Sequence, residues 1–185
     1  MDVALEQAMR LFWLKGYLGT SVSDLTSAMG INRASFYAAF GSKNDLFCKV
    51  LDRYGQGPSA YALTALKEPT AYAVVERILR GVVDMACSRR NPRGCLWVHS
   101  LLSSGDSDSA IRPELIARRT AEEAALVRRL KRAVSEADLP ADADPLGLAR
   151  YIATINFGIA VQAVKGATRV ELRRVVDAVL RNWPP

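Results

Sequence analysis

At 185 residues the chain can bury a substantial core, either as one domain or as a small domain joined to a larger one. Half of its residues are hydrophobic and 24% are charged, a balance too apolar for intrinsic disorder. The net charge of +6 permits an anionic partner such as DNA, but residues 1 to 53 carry six basic and five acidic side chains, so only +1 lies there and the placement of single side chains matters more than the total. The first residues carry acids where an export signal needs positive charge, so none is expected. The longest nearly apolar run, 151 to 164, contains Asn156 and Gln162 and falls short of the roughly 20 residues of a membrane span, which suits a buried helix. Cys48, Cys87 and Cys95 form no C-x-x-C pair and no even framework, so a reducing cytoplasm is expected, without a zinc knuckle, a disulfide scaffold or a cofactor.

The apolar period is three to four residues almost throughout, and no segment alternates over strand length, so the fold class is all-α. A first helix over 3 to 15 puts Leu5, Ala8, Leu11 and Phe12 on one face and stops at Gly16. Ser21 and Asp24 form a variant capping box for a short second helix with Val22, Leu25, Ala28 and Met29 inward, and Gly30 supplies the turn. Asn32 caps a third helix in which Phe36 and Phe40 share the buried side, and Gly41 ends it. Ser42 and Asp45 repeat the capping pattern for a fourth helix carrying Leu46, Phe47, Val50, Leu51 and Tyr54. Gly55-Gln-Gly57-Pro58 breaks or kinks that helix and marks the expected boundary between an N-terminal domain, 1–57, and a C-terminal domain, 58–185.

Further along, Pro69 opens a helix with Val75, Ile78, Leu79, Val82 and Ala86 inward, closed by the segment 88 to 94. A short helix over 95 to 102 and a polar loop over 103 to 107 precede a long helix expected over 109 to 137, with Arg and Glu on one flank. Asp144-Pro145 is an N-cap followed by proline at the first helical position, and that helix stops at Gly166. Thr168 and Glu171 cap the last helix, whose stripe is Leu172, Val175, Val176, Val179 and Leu180.

Residues 20 to 40 thus have the layout of a helix-turn-helix. With Phe36 and Phe40 buried, the opposite face of the third helix presents Arg33, Ala34, Ser35, Tyr37 and Ala38. Arg33 lies in the first turn, where arginine pairs bidentately with guanine O6 and N7, and the two alanines suit thymine methyl groups. Tyr37 and Lys43 suit phosphate oxygens, Lys43 at a helix start where free amides and the dipole also favour an anion, and Thr20 and Ser21 occupy the same kind of position one helix earlier.

The run from Thr20 through Gly30, Asn32, Tyr37 and Gly41-Ser-Lys43 to Phe47 resembles the headpiece of TetR (tetracycline-repressor) family transcriptional regulators, in which the tyrosine and the Gly/Pro-Ser-Lys step recur. The stretches Arg93-Gly-Cys-Leu96 and 158 to 168 are similar to parts of the family's C-terminal half, so the likeness spans most of the chain. Ala38-Ala39 depart from the histidine or aromatic of many members, and no basic arm precedes the first helix. The resemblance implies a nine-helix protomer, a homodimer joined through the last two long helices, operator DNA as partner, and a C-terminal cavity for a small-molecule effector that controls headpiece spacing, usually to relieve repression. Two other function classes stand beside it: an enzyme, for which no phosphate loop, triad or metal motif speaks, and a DNA-independent helical interaction module.

Pocket candidates are Met85, Cys95, Trp97, His99, Tyr151 and Phe157, although aromatics and methionines at helical spacing are usually ordinary core. His99, four residues after Cys95, has no third ligand in view, so no metal site is expected. The apolar helices 145 to 166 and 169 to 183 carry more hydrophobic surface than one protomer covers, and Phe157, Val161 and Val176 are the candidate dimer contacts. Cys95 follows Gly94 at a helix start beside Arg93, surroundings that lower a thiol's pKa, so a thiol-based redox-sensing repressor is the alternative to a non-covalent effector. The competing reading of Cys95 is a small buried hydrophobe.

Overall fold

A computed structural model describes residues 2–183 apart from 104–110. The described residues form ten helices and no strand: α1 (Asp2–Lys15), α2 (Val22–Met29), α3 (Arg33–Phe40), α4 (Lys43–Gln56), α5 (Ala60–Ala65), α6 (Ala71–Ala86), α7 (Leu96–Ser103), α8 (Arg112–Ser135), α9 (Pro145–Val164) and α10 (Arg169–Arg181). The expected polar loop after residue 103 and the expected start of the long helix at 109 lie outside the described residues. The tenth helix is α5, which lies between the break at Gly57 and Pro69, where the sequence pattern gives no helix. The helix expected from Pro69 begins two residues later, because Thr70 takes the N-cap position and accepts from the Ala73 amide at 3.1 Å.

Short helices such as α2 and α3 are marginal alone and depend on the walls around them. Those walls are α1 and α4, joined through aromatic edges: Phe12 meets Phe47 at 4.8 Å between ring centres, and Trp13 meets Tyr54 at 4.8 Å. Such edge-to-face pairs contribute about 0.5–1.5 kcal/mol beyond area burial. Arg53 of α4 holds the start of α1 through Glu6 and Asp2, both at 3.2 Å.

α6 is the axis of the larger part, with nine buried residues facing α5, α8, α9 and α10. At Gly81 the approach of α5 is very close, since a β-carbon there would lie 2.3 Å from Tyr61 Cδ2. The core runs without interruption from α1 to α10. Across the two parts, the Tyr54 hydroxyl reaches Met85 Sδ and Cys95 Sγ, each at 3.3 Å, and Arg10 donates to the Arg90 carbonyl at 2.8 Å. Arg118 of α8 pairs with Asp52 of α4. No helix among the described residues is long and apolar enough to cross a membrane.

Candidate nucleic-acid interface and ligand cleft

Three caps set the helix-turn-helix. The Ser21 side chain accepts from the Asp24 amide at 3.0 Å while the Asp24 carboxylate accepts from the Ser21 amide at 2.9 Å, a reciprocal box that opens α2. The backbone bond from Ser21, its hydroxyl bond and Lys15 together hold the Asp24 carboxyl down at about 2. Gly30 ends α2 at φ +67, a conformation most side chains avoid. Asn32 then accepts from the Ser35 amide at 2.8 Å, and Ser42 accepts from the Asp45 amide at 3.1 Å to open α4.

With α3 fixed this way, Phe36 and Phe40 are buried, and Arg33, Ala34, Ser35, Tyr37 and Ala38 lie on the solvent side. Ser21 is exposed too, its hydroxyl donating to Asp24 at 2.8 Å. Thr20 departs from the expectation. It is fully buried, and its hydroxyl donates to the Gly16 carbonyl at 2.7 Å, so it braces the end of α1 rather than facing outward. Lys43 is half-buried, with its ammonium 4.1 Å from the centre of the Tyr17 ring, a cation–π contact that fixes where the charge sits. Burial lowers its pKa from the ordinary value, and the charge of Asp24 works the other way. Tyr17 is buried and donates to the Asn44 side chain, which locks the ring beneath the lysine. Sequence reading alone does not single out Tyr17 and Asn44. The only signal is an aromatic directly after the stop of the first helix, and its partners lie 26 and 27 positions away.

The pocket candidates separate. Trp97 lines a cleft of ≈ 500 Å³ between α4, α5, α7 and α8, together with Leu51, Asp52, Leu63, Arg118 and Glu122. A smaller cavity of ≈ 60 Å³ lies deeper, between α5, α6, α8 and α9, and shares Leu63 and Glu122 with the cleft. Phe157 sits beneath Arg119, whose guanidinium is 4.7 Å from the ring centre, and Arg119 pairs with Glu122 at 2.5 Å. Burial pushes the Glu122 carboxyl up, while Arg119 and Arg118 pull it down. Met85 and Cys95 pack on Tyr54, and His99 contacts the Trp13 carbonyl. Tyr151 is 44% exposed on the outer side of α9, so it belongs to a different surface from the cleft.

For Cys95 the surroundings run against a reactive thiolate. Burial pushes its pKa up, and the Tyr54 hydroxyl and nearby backbone amides only partly offset this. Arg93 turns away to donate to the Ala167 carbonyl at 3.2 Å. Among the dimer candidates, Val161 is exposed and Phe157 half-buried, whereas Val176 is fully buried inside the protomer and presents no surface to a second copy. No group of three metal-ligating side chains occurs among the described residues.

The chain matches two family descriptions in tandem: "Bacterial regulatory proteins, tetR family" over residues 4–50 and "Tetracyclin repressor-like, C-terminal domain" over residues 72–181. It is 29% identical over 185 residues to the HTH-type transcriptional repressor ComR of Escherichia coli (strain K12), an alignment covering 99% of this chain and 88% of that one. Among solved structures it is similar to a cysteine-substituted TetR family regulator, CifR, complexed with 26-base-pair operator DNA, at TM-score 0.92 and 40% identity, covering 99% of this chain and 96% of that one. It is also similar to a TetR regulator from Rhodococcus sp. RHA1, at TM-score 0.67 and 40% identity, with 99% of both chains covered. Headpiece caps, all-helical architecture and both halves of the sequence agree: the chain belongs to the tetR family of bacterial regulatory proteins and is a transcriptional regulator.

Proposed function

We propose that this regulator binds a palindromic operator as a homodimer, through residues 1–57 of each protomer, and that a small molecule held by residues 58–185 releases it. The observation that carries the DNA reading is the split of α3: two buried phenylalanines hold the helix, and its other side offers Arg33, Ser35, Tyr37 and two alanines beside the Lys43 ammonium and the start of α4. Arg33 reads a base, while Tyr37 and Lys43 hold phosphates. Relatives described as repressors, and CifR bound to operator DNA, support repression as the mode.

The effector reading rests on the cleft at Trp97. Its ≈ 500 Å³ falls in the range of small-molecule sites, and it touches α4, the helix that begins at Lys43. Two buried donors have no hydrogen-bond partner among the described residues, Trp97 Nε1 beside this cleft and Arg119 Nε beside the smaller cavity, and an unpaired donor at the cleft suits a largely apolar molecule with an oxygen acceptor. The raised pKa of Cys95 favours non-covalent binding over thiol chemistry.

Selection of bound duplexes from a random pool, followed by gel shifts of the selected sequence at two salt concentrations, tests the DNA reading; failure to enrich any sequence overturns it. For the effector, a panel of aldehydes, ketones and quinones is scored for release of operator. The Leu63→Trp variant, which fills the cleft, keeps DNA binding and loses release; release that persists in this variant moves the effector elsewhere.

A further inference from the structure

The first 53 residues are nearly neutral, so five of the six net positive charges lie beyond them. A dense group of cations gathers where α6 turns into α7. Arg89, Arg90 and Arg93 are exposed in the segment 88–94, and this segment is pinned on two sides: Arg10 of α1 donates to the Arg90 carbonyl at 2.8 Å, and Arg93 donates to the Ala167 carbonyl at 3.2 Å. Gly94 closes the segment at φ +87, so near α9 that a β-carbon there would lie 2.4 Å from Val164 Cγ2. Lys165 enters from the end of α9, and Arg169 and Arg173 from the first turns of α10. Two acids stand among these cations. Asp84 is taken up by Arg169 at 3.2 Å and Arg173 at 3.1 Å, and Glu171 by its cap on Thr168. Arg10, Arg89, Arg90, Arg93 and Lys165 have no ion-pair partner among the described residues.

The position of this cluster says what it meets. Arg10 lies five residues, about 7.5 Å, along α1 from Lys15 at 1.5 Å per residue, and Lys15 pairs with Asp24 of α2 at 3.1 Å. The cluster is therefore level with the headpiece rather than at the far end of the molecule. It also abuts Val164, 63% exposed at the end of the outer face of α9. In a dimer joined through that face, the two copies of the cluster lie beside the two-fold axis, between the headpieces. A duplex spanning both headpieces passes under them and carries about one negative charge per 1.7 Å of axis.

We infer that Arg89 and Arg90, with Arg10 and Arg93 behind them, form a second DNA contact, independent of base sequence, to the phosphate backbone at the centre of the operator. This rests on the DNA-binding and dimer readings above. Counterions are released where phosphates are neutralised, so the contact steepens the salt dependence of binding without altering which bases are preferred.

The test measures operator affinity across salt for wild type, the double variant Arg89→Ala/Arg90→Ala, and its charge-preserving counterpart Arg89→Lys/Arg90→Lys. With two cations removed from each protomer, the slope of log affinity against log salt flattens by about two to four, and affinity at low salt falls about tenfold or more. Selected and scrambled duplexes lose affinity alike, and the lysine variant stays close to wild type. An operator with neutral methylphosphonates at its central phosphates weakens wild type and leaves the alanine variant unchanged. An unaltered slope in the alanine variant, or equal losses for the alanine and lysine variants, overturns the proposal. Wild type that shifts no duplex at all instead sinks the DNA reading itself, and the two failures are thereby told apart.

Discussion

Nδ1 of His99 lies 2.7 Å from the carbonyl oxygen of Trp13, a contact across 86 positions that ties α7 to the last turn of α1. A carbonyl can only accept, so Nδ1 carries the hydrogen. Removing the donor leaves a half-buried carbonyl short of a partner where the two parts of the molecule meet. His99→Ala is expected to lower unfolding free energy by about 1–2 kcal/mol, and His99→Asn, which restores an N–H near the same place, by less than half as much. Urea denaturation of the three proteins decides it; equal loss in both variants means that ring volume, not the bond, matters.

The readout assignments separate by their dependence on sequence and salt. Lys43→Ala is expected to weaken selected and scrambled duplexes to a similar degree and to lower the salt slope by about one for each phosphate that is no longer neutralised. Arg33→Ala is expected to cost about 1–3 kcal/mol on the selected operator and to relax preference at one position of each half-site. Fluorescence anisotropy on a set of single-base operator variants measures both. A uniform loss from Arg33→Ala across that set removes Arg33 from base reading.

Two carboxyls shift in opposite directions and act in different pH windows. Asp24 is held at about 2, below its ordinary 3.8, so it binds protons more weakly folded than unfolded. Its contribution is complete above about pH 4, declines as the pH falls, and is gone below about 2. Burial raises Glu122, so it works against folding above its ordinary 4.5 and eases as the pH falls toward that value. Acid titration followed by circular dichroism should show Asp24→Asn losing pH dependence in the lower window only, and Glu122→Gln in the upper window only.

The outer face of α9 shows Tyr151, Val161 and Val164 to solvent, with open space around Gly158, and α10 adds Val170 and Val175. Val161→Asp is expected to give a monomer in light scattering at micromolar concentration while melting as a folded protein, and to weaken operator binding. Val176→Ala behaves differently, because this side chain is interior to the protomer. It costs about 2 kcal/mol of stability and leaves the association state unchanged. A Val161→Asp protein that remains dimeric places the interface on another surface.

Much of this architecture is legible from single residues. Ser21, Asn32, Ser42, Thr70, Asp144 and Thr168 all act as N-caps with a side-chain bond to the helix they open, because a short polar side chain before an apolar period has one strongly favoured use. Thr70 is nevertheless masked by its neighbour Pro69, which is itself a helix-start signal. α5 escapes the pattern for the complementary reason: six residues follow Ser59, whose side chain makes no cap bond, and the helix is held by packing alone. Thr20 reads as a phosphate contact at a helix start but spends its hydroxyl on Gly16, and periodicity has no means of telling the core side of α10 from a side facing another chain, which is why Val176 reads as a dimer contact. The surroundings of Cys95 depend on where Arg93 points, and a bond to Ala167, 74 positions away, leaves no local trace.

Tyr61 against Gly81 fixes α5 on α6 by shape, an aromatic peg in a notch that only the smallest residue leaves open. The register of this short helix is thus independent of the residues that border the two cavities, Ala62, Leu63 and Leu66. Those three positions are free to change size while the wall stays where it is. In evolutionary terms, the shape of the two cavities can drift along one edge of α5 without disturbing the scaffold, whereas a single added methyl group at position 81 must push Tyr61, and α5 with it, away from α6.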